Sequence, residues 1–290
     1  METGSDYRCF FCFTRAFGNL LEKENISNEQ KNCFTKEMIS LYTDKWDTTN
    51  SPEFARELHN LFKSYTLNPD PYKTAKRENN DQAMHMVPEL KKRIAESVDP
   101  FTTALRLAIA GNIIDFAANV NFNLQATIER VLTSEFATDH SAELRKRLEQ
   151  AEKVLYLGDN AGEIVFDKLF IETIHHPNLT YAVRGAPVIN DATIEDAEYT
   201  GMKEVANVIS NGYDAPSTIP GKSSREFQKY FSEADLIISK GQGNLEGLIS
   251  SDDDRIFFLL MVKCNVMAEL LSVPKDSFVV FNLRSKERRE

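Results

Sequence analysis

The sequence predicts an α/β protein with a Rossmann-like, mainly parallel sheet covered by helices on both faces, preceded by an N-terminal all-helical domain. Up to about residue 150, apolar residues recur three and four positions apart and glycines are few, which is typical of amphipathic helices. Beyond it, short β-branched and aromatic segments alternate with helical ones, which favours a parallel sheet. With 290 residues the chain can form two cores, so we predict a helical bundle or cap at 1–150 and an α/β domain at 151–290.

Two helix starts stand out in the first half. Asp70 is predicted to cap a helix that has Pro71 at its first position, and Asp99 and Pro100 repeat that signal before a helix over residues 101–119. Apolar residues such as Phe54, Leu58 and Leu61 mark an earlier amphipathic helix.

Six strands are predicted in the second half, with helices between several of them, for example at 162–174 and 191–199. The strands are expected at 154–157, 180–183, 205–210, 236–238, 257–262 and 278–281. In such a sheet, ligands bind outside the carboxyl ends of the strands, so the residues that follow each strand are the first candidates for function.

Charge and composition exclude several classes of function. The chain has 34 Lys and Arg against 44 Asp and Glu, a net charge of −10, which argues against binding of nucleic acid or of an anionic membrane surface. No segment approaches the roughly 20 apolar residues of a membrane span, and the N-terminus lacks the pattern of a secretory signal. Four cysteines are too few for a disulfide scaffold. We therefore expect a cytoplasmic protein.

Oxygen donors follow the first two strands of the α/β half. Asp159 and Asn160 come after the first strand, and Asp191 follows the second. Each could simply cap the next helix, but adjacent parallel strands end at the same edge of the sheet. Carboxylate and amide oxygens completed by water suit Mg²⁺ or Mn²⁺, so a divalent-metal site is the functional alternative.

Anion-binding groups follow two later strands. Ser239 offers a hydroxyl and Lys240 a positive charge, while Gly241 allows backbone N–H groups to converge on an anion. Lys263 ends the next apolar run. A surface turn and an exposed strand end are the structural alternatives. Taken with the metal site, these residues indicate metal-assisted chemistry on a small phosphorylated molecule.

Two other classes of function compete with this interpretation. The first strand and turn of the α/β half resemble those of S-adenosylmethionine-dependent methyltransferases, although Asp159, Asn160 and Ala161 stand where a glycine-rich turn is expected. A non-catalytic metabolite-binding module would bind its ligand without turnover and without metal dependence.

The motifs resemble those of the damage-control metal-dependent phosphatases, long catalogued as a domain of unknown function, in their stand-alone prokaryotic branch. The resemblance rests on Gly-Asp-Asn-Ala-Gly-Glu at 158–163, Arg-Gly-Ala-Pro at 184–187, Asn-Asp-Ala-Thr at 190–193, and Ser-Lys-Gly at 239–241 with Asn244. It extends into the helical half through Asp-Pro-Tyr-Lys at 70–73 and Ala-Gly-Asn-Ile-Ile-Asp at 110–115.

This resemblance implies hydrolysis of phosphate monoesters of damaged or surplus metabolites with Mn²⁺, Co²⁺, Ni²⁺ or Mg²⁺. The family's metal ligands fall on Asp159, Asn160 and Asp191. Its phosphate- and substrate-binding residues fall on Ser239, Lys240, Gly241 and Asn244, and Lys263 corresponds to a later lysine. Asn112 and Asp115 are expected to contact the site from the helical half, or else to tie the two domains together.

The expected mechanism has the metal bind a phosphoryl oxygen and activate a water, with lysines holding the other oxygens. Asp159 and Lys263 are the predicted catalytic residues. Asp159 as a covalent nucleophile ranks second, because Ala161 stands where haloacid-dehalogenase-type phosphatases carry their acid.

Cysteines near the N-terminus form a separate pattern. Cys9 and Cys12 make a Cys-x-x-Cys pair, which the implied branch of the family also carries, and Cys33 follows. These three thiols either bind a structural zinc, with a fourth ligand still to be found, or are free.

Overall fold

A computed structural model of the chain describes residues 6–111 and 124–283. Its α-helices are α1 (Tyr7–Lys23), α2 (Asn28–Lys45), α3 (Ser51–Thr66), α4 (Lys73–Glu96), α5 (Pro100–Ala110), α6 (Leu124–Thr133), α7 (Ser141–Gln150), α8 (Glu163–Ile174), α9 (Ile194–Tyr199), α10 (Arg225–Glu233), α11 (Gly241–Leu248) and α12 (Asn265–Leu271). Its strands are β1 (Phe136–Asp139), β2 (Val154–Leu157), β3 (Leu179–Val183), β4 (Asn207–Ser210), β5 (Leu236–Lys240), β6 (Ile256–Met261) and β7 (Phe278–Asn282).

The strands form one sheet in the order β1-β7-β6-β5-β2-β3-β4. All neighbouring pairs are parallel except β6 and β7, which are antiparallel. Helices lie on both faces, so the predicted fold class is confirmed. Strands β2, β3, β5 and β6 are buried along their whole length, as expected for strands covered on both sides.

The sheet begins earlier in the chain than the predicted boundary at residue 150. Strand β1 lies in the half expected to be all-helical and pairs with β7, with Phe136 opposite Phe278. Strand β1 is not predicted from the sequence, because it has only four residues and alternates between half-buried and exposed positions.

Three apolar cores divide the helices differently from the predicted boundary. Helices α1 to α3 share a core of their own, which includes Phe17, Phe34 and Phe54. Helices α4 to α8 instead pack against one face of the sheet, in a core with Tyr156 and Ile238. The opposite face is covered by α10, α11 and α12. The separate helical unit is therefore α1 to α3.

One of the two predicted helix starts is confirmed. Helix α5 begins at Pro100 with Asp99 as its N-cap, whose side chain accepts from the Thr102 N–H at 3.4 Å. The Asp70 prediction is wrong, because α4 begins at Lys73 and Asp70 stabilises the preceding turn by accepting from the Tyr72 N–H at 3.1 Å. Helix α5 ends at Ala110, and residues 112–119 of the predicted helix lie outside the described residues.

None of the helices in the described segments combines the length and apolarity needed to cross a membrane.

The sheet has its topological switch point between β2 and β5. From β2 the chain continues to β3 and β4 on one side, and β5 then returns to the other side of β2. The loops that leave β2 and β5 therefore diverge and open a crevice at the carboxyl ends of these strands, which is where open α/β sheets bind ligands.

Candidate active site

The loops that follow β2 and β3 are joined by backbone hydrogen bonds. Asn160 and Asp191 form an antiparallel bridge. On either side of it, the Ala161 N–H donates to the Asn190 carbonyl and the Ala192 N–H donates to the Asp159 carbonyl, each at 2.8 Å. This pairing brings all three predicted metal ligands to one edge of the sheet.

Helix capping does not explain these acidic residues. Helix α8 has Gly162 as its N-cap with no side-chain cap hydrogen bond, and α9 has Thr193 as its N-cap. Asp196, rather than Asp191, accepts the Thr193 N–H at 2.9 Å. The side chains of Asp159 and Asp191 thus have another role.

Both carboxylates lie against the guanidinium of Arg184, which directly follows β3. Its Nε donates to Asp191 Oδ2 at 2.5 Å, and one Nη lies 3.4 Å from Asp159 Oδ1. The other Nη donates to Thr218 at 3.3 Å. Arg184 is only 2% exposed. The buried, positively charged side chain of Arg184 therefore contacts both predicted acidic metal ligands.

Asn160 adds an amide to this group. Its nitrogen donates to Asp159 Oδ2 at 2.8 Å and to Glu163 Oε2 at 3.1 Å. The amide oxygen is then the atom that can bind a cation.

The charges in this group perturb one another. The pKa of Asp159 is raised to about 7, mainly by burial and also by the neighbouring charges of Glu163 and Asp191, while Arg184 and Lys263 oppose the shift. Burial also raises the pKa of Asp191, although the Arg184 guanidinium opposes this. Buried, clustered carboxylates with raised pKa values are typical of a functional site. A bound cation would offset the repulsion among the negative charges of this group.

Gly241 makes room for the Asp159 side chain. It follows β5 with φ +77°, and a Cβ atom built on it would overlap the Asp159 carboxylate. Only glycine satisfies both the backbone conformation and the close approach. The predicted Gly241 position is thus in direct contact with the predicted metal ligand.

Ser239 and Lys240 point to opposite faces of the sheet, because successive strand residues alternate. Lys240 is fully buried, and its Nζ donates to Glu163 Oε1 and Asp167 Oδ1 at 2.6 Å and to the Ala108 carbonyl at 2.8 Å. In this arrangement its ammonium neutralises carboxylates beneath the crevice. Direct contact between Lys240 and a phosphoryl group stays a prediction.

Tyrosines complete the polar network around Lys240. The hydroxyls of Tyr156 and Tyr181 each donate to Asp167 at 2.8 Å, one to each carboxylate oxygen. Burial alone would lower the pKa of Lys240, but Asp167 and Glu163 raise it above its ordinary value. A buried charge network with all these bonds is rigid and fixes Glu163 beside Asn160.

Two buried polar atoms near the end of β5 are unsatisfied. Among the described residues, Ser239 Oγ and Asn244 Oδ1 have no hydrogen-bond partner. The Asn244 amide nitrogen links β2 to β5 by donating to the Gly158 and Lys240 carbonyls at 3.0 and 2.8 Å. Unsatisfied buried groups are expected where a ligand is to bind.

The remaining predicted residues differ in their placement. Lys263 follows β6, is exposed, and its charge acts on Asp159, so it lies at the same edge of the sheet. Asn112 and Asp115 lie outside the described residues. Of the cysteines, Cys9 Sγ accepts from the Ser51 hydroxyl and Cys264 Sγ accepts from the Gln242 amide nitrogen, each at 3.5 Å. Cys33 lies on α2 near Tyr65.

The donor set fits a hard divalent cation in its chemistry. Within residues 6–111 and 124–283, no three His, Cys, Asp or Glu side chains are grouped tightly enough to hold a metal ion. Asp159 and Asp191 both contact the Arg184 guanidinium, so their carboxylates already lie around one positively charged group. Two carboxylates, an amide oxygen and water form the ligand type that Mg²⁺ and Mn²⁺ prefer.

The sequence patterns assign no role to Arg184, Glu163 and Asp167. Arg184 could have been found, because it follows a parallel strand at the same edge as Asp159. Glu163 and Asp167 lie inside a helix, where a carboxylate normally faces solvent, and only the packing of α8 on the sheet shows them to be buried.

Comparisons with known proteins identify the family to which this chain belongs. The sequence matches the damage-control phosphatase ARMT1-like domain over residues 5–279. It is 33% identical over 289 residues to a damage-control phosphatase of Pyrococcus horikoshii, covering 97% of this chain and 98% of that one. It is also 35% identical over 209 residues to a damage-control phosphatase of Archaeoglobus fulgidus, covering 70% of this chain and 73% of the relative.

A solved structure is similar along the whole chain. The crystal structure of a DUF89 family protein from Pyrococcus horikoshii superposes with a TM-score of 0.87 at 30% identity, covering 96% of this chain and 99% of that one.

Proposed function

The chain belongs to the damage-control phosphatase family of the ARMT1-like domain, and on that premise we propose that it is a metal-dependent phosphatase that hydrolyses phosphate monoesters of small, damaged or surplus metabolites. The observation that supports metal dependence is that two buried carboxylates, Asp159 and Asp191, both contact the Arg184 guanidinium at the topological switch point. Family membership favours hydrolysis over the methyltransferase alternative, and over a module that binds without turnover.

Asp159, Asn160 and Asp191 would hold the divalent cation. When bound, such a cation withdraws charge from a phosphoryl oxygen and lowers the pKa of a water molecule. Mg²⁺ and Mn²⁺ suit this oxygen-rich donor set, and Co²⁺ and Ni²⁺ are added because the family resemblance implies them.

Neighbouring groups would position the phosphoryl group. Phosphoryl transfer depends mainly on orientation and charge neutralisation. The exposed ammonium of Lys263 supplies positive charge at the edge of the crevice. Ser239 Oγ can donate a hydrogen bond to an anion. The first N–H groups of α11 lie at the positive end of the helix dipole, which also favours an anion.

Asp159 is better suited to bind a cation than to attack phosphorus. Its two oxygens have separate partners, Arg184 at 3.4 Å and the Asn160 amide at 2.8 Å. These contacts hold the carboxylate in place and reduce its charge. A water molecule is therefore the preferred nucleophile, and the aspartyl-phosphate route remains the second alternative.

Phosphate release from a panel of sugar phosphates, phosphopantetheine-type compounds and p-nitrophenyl phosphate tests this function. We expect release with added Mn²⁺, Co²⁺, Ni²⁺ or Mg²⁺ and none with EDTA. Asp159→Asn and Asp191→Asn should each lower kcat by about 100-fold or more, since each removes a charge needed in the transition state. Asp252→Asn is the matched control, because this Asp is exposed at positive φ, where Asn is well tolerated.

The proposed metal dependence is wrong if turnover persists in EDTA, or if Asp191→Asn matches the wild-type rate. Loss of the same activity in the Asp252→Asn control would indicate damage to the fold instead.

A further inference from the structure

Helix α4 contacts both of the loops that carry the proposed metal ligands, and it does so through buried polar side chains. Lys76 and Asn80 lie four residues apart and therefore share one face of this helix. Lys76 is 4% and Asn80 is 1% exposed, although both residue types are mostly found at protein surfaces. Burial of such groups is costly unless they are hydrogen-bonded, so their partners indicate what they do.

Asn80 holds the loop that follows β2. Its side-chain oxygen accepts the Gly162 N–H at 2.6 Å, across 82 positions of the chain. Gly162 lies two residues after the proposed ligand Asn160 and is the N-cap of α8, at φ +79° and with no side-chain cap hydrogen bond. The start of α8 and the end of this loop are therefore fixed in part by an acceptor on α4.

Asp196, in the first turn of α9, holds the loop that follows β3. Its Oδ2 accepts from the Thr193 N–H at 2.9 Å and from the Thr193 hydroxyl at 2.8 Å. Thr193 lies two residues after the proposed ligand Asp191. The other oxygen, Oδ1, accepts from the Asn80 amide nitrogen at 3.0 Å. Asn80 thus contacts one loop directly and the other through Asp196.

Lys76 supplies the positive charge for this group. Its Nζ lies 3.1 Å from Asp70 Oδ2 and 3.1 Å from Asp196 Oδ2. Burial alone would lower the pKa of Lys76, but the charges of Asp196 and Asp70 raise it above its ordinary value. Asp70, which does not cap α4, therefore holds the Lys76 ammonium against Asp196.

The contacts from α4 lie on both sides of the backbone bridge between Asn160 and Asp191. Because this bridge is antiparallel, residues that follow its two members lie in opposite directions from it. Gly162 and Thr193 are such residues, so α4 holds the paired loops on either side of their bridge.

We propose that Asn80, Lys76 and Asp196 are positioning residues, which fix the spacing between the two loops that carry the proposed metal ligands. This role rests on the proposed function, because it concerns the same metal site. Groups that orient metal ligands without contacting the ion commonly change metal affinity by about 10- to 100-fold.

Binding of Mn²⁺ to the metal-free protein, measured by titration calorimetry, tests this role without relying on phosphatase activity. Asn80→Asp brings a second carboxylate against Asp196, and Asp196→Asn brings an amide nitrogen against the Asn80 amide nitrogen. Each should weaken Mn²⁺ binding by about 10-fold or more. Since the two variants change the net charge in opposite directions, long-range charge alone cannot weaken binding in both.

The double variant Asn80→Asp/Asp196→Asn exchanges the donor and the acceptor of this hydrogen bond and keeps the net charge. We expect it to regain most of the wild-type affinity for Mn²⁺, which a general loss of stability would not allow. A double variant that binds Mn²⁺ no better than the single ones would overturn the proposal.

Asn282→Asp is the matched control. Asn282 is also buried, and its amide nitrogen donates to the Asp254 and Ile256 carbonyls at 2.9 and 2.8 Å, at the start of β6 on the opposite edge of the sheet. This variant should unfold more easily, yet its affinity for Mn²⁺ should stay within about twofold of the wild type. An equal loss of affinity in this control would assign the effect to general destabilisation and overturn the proposal.

Thr193→Val keeps the test open if a charged variant does not fold, because it preserves side-chain size and removes only a hydroxyl that donates to Asp196. It should weaken Mn²⁺ binding by about threefold or more, whereas Thr193→Ser should bind as the wild type does. Wild-type affinity in Thr193→Val and in the single variants would overturn the positioning role and leave the proposed metal site intact. Absence of Mn²⁺ binding to the wild type would overturn both.

Discussion

At the residue scale, the site depends on how closely Gly241 approaches Asp159. No other residue can replace Gly241 without displacing the carboxylate, since φ is +77° and any Cβ would overlap it. A single glycine therefore sets the position of a predicted metal ligand from the neighbouring strand. It follows that a side chain at this position should strain the backbone and displace Asp159.

We expect Gly241→Ala to lower phosphatase activity by about 10-fold or more, because the new methyl group displaces Asp159. Gly221→Ala is the control, since nothing lies within 4 Å of a Cβ at that position. Steady-state kinetics and far-ultraviolet circular dichroism of both variants provide the measurement. Wild-type kinetics in Gly241→Ala would show that the close approach has no functional role.

The raised pKa of Asp159 also has a consequence for stability. Its pKa is about 7 in the folded protein against an ordinary 3.8, so between these pH values the unfolded chain has lost a proton that the folded chain retains. The unfolded state then binds fewer protons, and the free energy of unfolding falls as pH rises.

Metal-free Asp159→Asn should therefore be more stable than the wild type at pH 7.5, by about 1 kcal/mol or more, and this gain should shrink as the pH falls toward 4. Urea unfolding in EDTA at several pH values measures the difference. Asp252→Asn, which alters an exposed carboxylate, should show no such trend. Equal stability of the wild type and Asp159→Asn at pH 7.5 would contradict the predicted cost of burying this charge.

At the element scale, helix α8 and strand β5 are joined by charge as well as by apolar packing. Lys240 on β5 holds Glu163 and Asp167 on α8, and all three side chains are fully buried. Breaking such a network from one side leaves charges without compensation. The network thus fixes the start of α8, which carries the residues next to Asn160.

Lys240→Met should lower the free energy of unfolding by about 3–5 kcal/mol at pH 7.5, because Glu163 and Asp167 stay buried without their cation. Part of this loss should be recovered at lower pH, as Asp167, whose pKa is already raised by burial, becomes protonated. Lys229→Met is the matched control: its ion pair with Glu233 is exposed and 4.0 Å long, so we expect a change within about 0.5 kcal/mol. A Lys240→Met variant as stable as this control would show that the network contributes little.

At the scale of the whole molecule, the helical unit lies over the same edge of the sheet as the site. From α3, Arg56 is paired with Asp214, and Lys63 donates to the Pro187 carbonyl in the loop after β3. Outside this unit, helix α4 contacts the same edge, because Asn80 accepts the Gly162 N–H at 2.6 Å. Ligand binding at this edge should therefore stabilise the complete chain rather than one loop.

We expect Mn²⁺ at about 100 times its Kd to stabilise the protein by about 2.7 kcal/mol, a rise in Tm of roughly 5 °C for a chain of this size. Asp191→Asn should lose this shift because it lacks a predicted ligand. Thermal unfolding with and without MnCl₂ measures both. An equal shift in Asp191→Asn would place the binding of Mn²⁺ elsewhere in the molecule.

The amino-acid sequence alone is sufficient to predict the fold class, six of the seven strands in the described residues, and the position of Asp159, Asn160 and Asp191 at one edge of the sheet. It could do so because hydrophobic periodicity and chain order are local properties, and parallel strands end on the same side. Strand β1 escaped detection because its four residues carry little pattern.

Contacts between side chains from distant segments, by contrast, depend on the packing of the folded chain. The alternation along β5 turned Lys240 away from Ser239, and the packing of α8 buried Glu163 and Asp167 around it. The ion pair of Arg8 with Glu269 joins segments 261 positions apart, where sequence spacing carries no information. The physical reason is that burial and long-range contact arise from packing of the whole chain, which no local pattern encodes.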